Sequence, residues 1–141
     1  MTSKMHGGNL IHHLGLVNGR VCQKLLNNEP KALYRSEQAK ILSVLWNDTE
    51  GYMTYTDLSI RTGLAKKLEE QGLVCLKHCP KDKRKRYVNL TELGWAQKEI
   101  GEKVHQELGE IFYSGFSKEE IIQVEEYLNR ILQNLKKTEA L

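Results

Sequence analysis

The sequence predicts a mainly α-helical fold carrying one small β-hairpin, and three observations predict it. Over most of the 141 residues, apolar side chains recur at spacings of three and four, the period of helices with one buried face. Residues 72–94, GLVCLKHCPKDKRKRYVNLTELG, break that period. They hold two short alternating runs, 73–77 and 87–90, around Pro80 and a polar tip, which is the pattern of a hairpin. With 40% hydrophobic and 28% charged residues and only two prolines, the chain has the composition of one folded domain rather than a low-complexity segment.

The first helix is expected over residues 9–26. Leu10, Leu14, Val17, Val21 and Leu25 form its apolar stripe, and Asn27-Asn28-Glu29-Pro30 ends it. Ser36 caps a second helix with Ala39, Leu42, Leu45 and Trp46 on one face. Asp48-Thr49-Glu50-Gly51 breaks it. Thr54 and Asp57 then match a capping box, with Met53 and Leu58 at the flanking staple positions, so a short third helix is expected to run to Gly63. Residues 64–71 start another helical stretch, which Gly72 ends. Short helix, turn and helix make a helix-turn-helix candidate.

Beyond the hairpin, Thr91 starts a long helix to about residue 113, lined by Ile100, Val104, Leu108 and Ile111. Ser114-Gly115-Phe116 interrupts it, and Ser117-Lys118-Glu119-Glu120 is a capping box with Phe116 and Ile121 as its staple. The last helix carries Ile121, Val124, Leu128, Ile131 and Leu135 at spacings of 3, 4, 3 and 4, a heptad seam. Such a seam faces either the core or a second chain. Its place opposite the Leu10–Leu25 stripe leads us to expect a shared dimer interface.

The hairpin also carries the charge. Residues 77–86 hold six Lys/Arg and one acid, Asp82; without them the chain's 21 bases and 18 acids fall to 15 and 17. The whole positive excess therefore sits on one finger, the footprint expected for contact with phosphates, although a solvated loop has the same composition.

No apolar run approaches the ~20 residues that span a bilayer. The N-terminus lacks the apolar core of a signal peptide, so a cytoplasmic protein without membrane partners is expected. Cys22, Cys75 and Cys79 form no disulfide framework. The Asn-x-Thr triplets at Asn47 and Asn89 carry no meaning without secretion. Cys75, His78 and Cys79, with His12 and His13, invite a metal reading. On a strand, however, His78 faces away from the two cysteines, whereas zinc wants four convergent ligands, so no metal and no cofactor is expected. Glycine-rich phosphate loops, HExxH and nucleophile elbows are missing, which argues against an enzyme.

Three linked motifs stand in order: Leu68-Glu69-Glu70-Gln71-Gly72-Leu73-Val74, then Asp82-Lys83-Arg84, then Val88-Asn89-Leu90-Thr91-Glu92-Leu93-Gly94. Together with the element order they resemble the MarR (multiple antibiotic resistance regulator) family of winged helix-turn-helix transcription factors, whose pattern is LExxGLV, a D-[RK]-R wing tip and VxLTxxG. The resemblance implies a single domain acting as a homodimer on double-stranded operator DNA. In most of the family this is a repressor relieved by a small-molecule effector. Residues 1–30 and 95–141 would form the dimer base, through Leu10, Leu14, Val17, Ile121, Val124, Leu128, Ile131 and Leu135, and 31–94 the winged helix-turn-helix. The recognition helix, with Lys66 and Lys67, would enter the major groove, and the wing the minor groove. Arg84 would be the wing-tip arginine, oriented by Asp82. Lys81, Lys83, Lys85 and Arg86 would contact phosphates. Thr54, Tyr55 and Thr56 would meet phosphate at a helix N-terminus.

The chain departs from the family at one place. Between Thr62-Gly63-Leu64-Ala65 and Leu68, where the family has several more residues, only Lys66 and Lys67 stand. A helix over residues 65–71 is about 10 Å long, barely across the ~12 Å major groove. Either the recognition helix is truly short, or a stretch is missing here and a Cα–Cα step between Leu64 and Lys67 greatly exceeds the usual ~3.8 Å; we expect the second. Cys22 invites comparison with first-helix peroxide-sensing cysteines of the family, but a buried, inert thiol is expected. His12, His13, Tyr34, Trp46 and Trp95 suit an effector pocket and equally a plain core, and none is assigned. A redox- or metal-responsive regulator, and a winged-helix module that binds protein and has lost DNA reading, are the alternatives.

Overall fold

The computed structural model describes residues 5–47, 52–54, 62–78, 81 and 86–141. The elements among them are α1 (Gly7–Asn27), α2 (Ser36–Asn47), β1 (Tyr52–Thr54), α3 (Thr62–Glu70), β2 (Val74–His78), β3 (Arg86–Leu90), α4 (Glu92–Ala96), α5 (Lys98–Phe112) and α6 (Lys118–Glu139). They fall into two compact units, Met1–Leu108 and Gly109–Leu141.

In the first unit, Leu42 and Leu45 of α2, Leu68 of α3, Leu73, Val74 of β2 and Val88 of β3 are fully buried. Cys22 and Leu26 from α1, Tyr34, Ile41, Trp46 and Val104 complete this core. The Tyr34 and Trp46 rings meet edge to face at 5.8 Å. Helix α2 begins at Ser36 rather than after it. Ser36 is thus the first helical residue and not the cap, and the Gln38 side chain reaches back to accept from Arg35 N–H at 2.8 Å.

The hairpin expected from the sequence is present, and a third strand joins it. The strand order is β1-β3-β2, all antiparallel, with Met53 opposite Val88 and Leu76 opposite Val88 on the other side. Thr54 therefore ends a strand. The short third helix, with Tyr55, Thr56, Asp57 and Leu58, lies outside the described residues.

Two expectations about helix limits are corrected. The single helix expected from Thr91 to residue 113 is two helices, α4 and α5, separated at Gln97. Gln97 is buried, and its side chain accepts from Leu33 N–H at 2.9 Å and donates to the Lys31 carbonyl at 3.1 Å. Those bonds satisfy the α1–α2 connection, and local periodicity carries no trace of them. Next along, Lys103 Nζ reaches both Glu29 carboxylate oxygens, at 3.0 and 3.2 Å, which raises its pKa. The second correction concerns α3. It starts at Thr62, so Thr62 and Gly63 belong to the helix rather than to a turn, and it runs unbroken through residues 64–67. No stretch is missing there, and α3 is a helix of nine residues.

In the second unit, Phe112, Tyr113 and Phe116 pack edge to face around the turn at Gly115, whose φ is 85°. The capping box at Ser117 is complete, with Ser117 N–H bonded to Glu120 at 2.9 Å and Glu120 N–H to Ser117 Oγ at 3.1 Å. Tyr113 Oη donates to Glu125 at 2.8 Å. Helix α6 has no buried residue. Among the described residues, no helix is long and apolar enough to cross a membrane.

Candidate nucleic-acid interface

Helix α3 is held by Ala65 and Leu68, both fully buried, while Lys66, Lys67, Glu69 and Glu70 are exposed. Its end is a Schellman motif. Gly72 takes φ 78°, its N–H bonds to Glu69 O at 2.9 Å, and Leu73 N–H bonds to Leu68 O at 3.0 Å. The apolar contact proper to that motif is the Leu68–Leu73 pair, both at zero exposure. The GLV sequence thus stops the helix, turns the chain and enters the wing within three residues.

The wing is held to this helix at two places. On the edge strand β2, Leu76 N–H bonds to the Glu69 carboxylate at 3.3 Å. At the base, Thr91 makes three bonds. Its hydroxyl donates to Gly72 O at 2.6 Å and accepts from Gly94 N–H at 3.0 Å, and its N–H donates to Leu73 O at 3.1 Å. One threonine thereby joins the end of α3, the end of β3 and the cap of α4. The glycine three residues on is required by space, since a Cβ at Gly94 would lie 2.1 Å from Leu73 O. The sequence reading placed Thr91 as a helix start and missed this joint. Threonine at a strand end, three residues before a glycine, was the available signal.

Of the expected contact residues, Lys66, Lys67 and Lys81 are exposed, and Arg86 begins β3 opposite His78. Thr54 is the last residue of β1, paired with Tyr87, which places it on the wing sheet. Tyr55, Thr56, Asp82, Lys83, Arg84 and Lys85 lie outside the described residues. The register carries the strands straight from the buried Val74 and Val88 to the basic segment.

The other candidates separate by burial. Cys22 is buried, and desolvation pushes its thiol pKa up despite the opposing charge of Lys40. Such a thiol is protonated at neutral pH, the opposite of what a reactive thiolate needs. Cys75 is exposed on β2, and Cys79 lies outside the described residues. No cluster of three metal-ligating side chains occurs among the described residues. Tyr34 and Trp46 are core residues, while His12, His13 and Trp95 are exposed. Along α1, Leu10, Leu14 and Val17 are exposed, as are Leu128, Ile131 and Leu135 along α6, where Ile121 and Val124 are half-buried.

No family model matches the sequence, and no curated protein does. Solved structures do match. A MarR transcriptional regulator from Methanosarcina mazei is 26% identical with a TM-score of 0.81, over 96% of this chain and 99% of that one. MepR from S. aureus, solved in complex with DNA, is 21% identical with a TM-score of 0.77, over 93% and 99%. A cysteine-to-serine mutant of E. coli MarR, solved with operator DNA, is 24% identical with a TM-score of 0.71, over 92% and 99%. The last two likenesses speak for the fold. With the first and third motifs seated on α3 and the Thr91 joint, and the match running over nearly the whole chain, the protein has the winged helix-turn-helix fold of the MarR-family structures.

Proposed function

We propose that this chain is a DNA-binding transcription regulator, not an enzyme, and that it acts in the cytoplasm as a homodimer on operator DNA. The observation that carries the reading is the wing. An antiparallel ladder, clamped to α3 through Glu69 and Thr91, projects the segment that holds the chain's entire positive excess. A cationic segment joined to a strand ladder beside a surface helix suits backbone contact in one groove and entry into the next. Lys81, Lys83, Lys85 and Arg86 serve as phosphate contacts, and Arg84, oriented by Asp82, enters the minor groove. The structures of MepR and E. coli MarR with DNA support the same reading.

Dimerisation rests on the apolar faces that the single chain leaves open. Leu10 and Leu14 of α1 are 60% and 52% exposed, and Leu135 of α6 is 63% exposed. Leu10, Leu14, Val17, Ile121, Val124, Leu128, Ile131 and Leu135 form the interface in this reading. Residues 1–30 and 95–141 make the base, and 31–94 the DNA-binding lobe. A small ligand that alters the spacing of the two lobes relieves repression.

The test is binding of the purified protein to duplex DNA from its own upstream region and to a scrambled duplex across a salt series. Tighter binding to the upstream duplex that weakens steeply with salt supports the reading. Salt-independent binding, or none, overturns it. The short α3 favours a second reading, a protein-binding module that has lost base reading; equal, weak binding to both duplexes would select it.

A further inference from the structure

Helix α3 offers few side chains to a groove, and those few define a reading pattern. Ala65 and Leu68 are buried and Leu64 is half-buried, so these three mark the inner face. At 3.6 residues per turn, Lys66 and Glu70 point most nearly the opposite way, with Lys67 and Glu69 on the flanks. Glu69 is drawn aside to the Leu76 amide of the wing. The next residue, Gln71, accepts from Gln38 at 3.0 Å, and the Schellman turn at Gly72 ends the helix. Lys66 and Glu70 stand one helical turn apart, at the i, i+4 separation that makes side chains neighbours.

On the reading of this chain as a DNA-binding protein, we propose that Lys66 and Glu70 are its specificity-determining pair, reading a G·C element in the major groove. Guanine presents two adjacent acceptors, O6 and N7, to which an ammonium group donates. Cytosine presents the N4 amino group, which a carboxylate accepts. Adenine also has an amino group, but its neighbouring N7 repels a carboxylate. Glu70 discriminates by what it refuses. A carboxylate among DNA phosphates is unfavourable wherever it finds no amino partner, so it penalises wrong sequences more than it strengthens the right one. A helix too short for many contacts thereby keeps selectivity with one donor and one acceptor. Lys67, to one side, contacts phosphate and reads no base.

The probe is a duplex that the full-length protein selects from a random-sequence pool, compared with a scrambled duplex of the same composition. Wild type, Lys66→Ala, Glu70→Ala and Lys67→Ala are titrated with both. The selected duplex is expected to carry G·C pairs at the α3 contact. Glu70→Ala is expected to bind the scrambled duplex several-fold more tightly and to lower the selected-to-scrambled ratio about tenfold. Lys66→Ala is expected to lower the ratio similarly, and 7-deazaguanine in the probe to weaken wild type but not Lys66→Ala. Lys67→Ala should weaken both duplexes alike. The proposal is overturned if Lys66→Ala and Glu70→Ala leave the ratio unchanged, or if no preferred sequence emerges while binding stays salt-sensitive, an outcome that leaves DNA binding itself standing. Absence of salt-sensitive binding to any duplex removes both.

Discussion

The indole Nε1 of Trp46 donates a 2.9 Å hydrogen bond to the carbonyl oxygen of Gly94, fastening the core of α2 to α4 across 48 residues of chain. The same ring covers Gly101 of α5 so closely that a Cβ there would lie 2.3 Å from it. Gly101→Ala is therefore expected to destabilise the fold by about 2–3 kcal/mol, the upper range for overpacking. Trp46→Phe removes the bond and some packing and is expected to cost about 1–2 kcal/mol. Because the smaller ring leaves room for the methyl group, the double variant should be less unstable than the sum. Denaturant unfolding of the four proteins checks this; simple additivity would contradict it.

Gln97 holds the α1–α2 connection through Leu33 N–H and Lys31 O. Gln97→Leu would leave both backbone groups without their partner in a partly buried site. The expected loss is about 2–3 kcal/mol. Hydrogen exchange should show the Leu33 amide losing protection before the amides of α2. Unchanged protection at Leu33 would contradict the bond.

Alkaline pH acts on Tyr34 and Cys22. Burial, then the nearby Cys22 and Glu29 charges, push Tyr34 from 10.0 up to about 12. Burial, against Lys40, raises Cys22 above 9.0. Both groups are held neutral in the folded state, so their contribution is fully present below their unfolded values and is lost as pH rises through the folded ones. Stability should fall from about pH 9 toward pH 12, and Tyr34→Phe with Cys22→Ala should flatten that fall. A profile that stays steep in the double variant would contradict the assignment.

The apolar seam of α6 predicts a second chain. Ile131→Glu places a charge in that seam, where the side chain is 40% exposed in the single chain. Sedimentation should give twice the 16.3 kDa chain mass for wild type and a shift toward one chain for the variant. A wild type that stays monomeric at micromolar concentration would contradict the dimer.

Much of this was legible locally. The stripe of α1, the capping box at Ser117 and the alternating runs around residues 81–86 each write their structure into neighbouring residues. The features missed are held by distant partners. Tyr52–Thr54 is too short for its own alternation and is a strand because β3 lies beside it. The helix break at Gln97 depends on residues more than 60 positions away. At the candidate site, the motifs located α3 and the wing. The Thr91 joint and the exposure of both Lys66 and Glu70 required the fold. The short α3 was visible as a departure, but whether it was a gap or a genuine helix depended on the unbroken helical backbone through residues 64–67.

The most direct test of the DNA-binding account compares wild type with a full-length variant carrying Lys83→Ser, Arg84→Ser and Lys85→Ser, titrating duplex DNA across a salt series. Each phosphate contact contributes about −0.9 to the slope of log K against log salt. The account predicts weaker binding by the variant and a slope shallower by about two to three per protomer. Equal affinity and equal slope for the two proteins would contradict it.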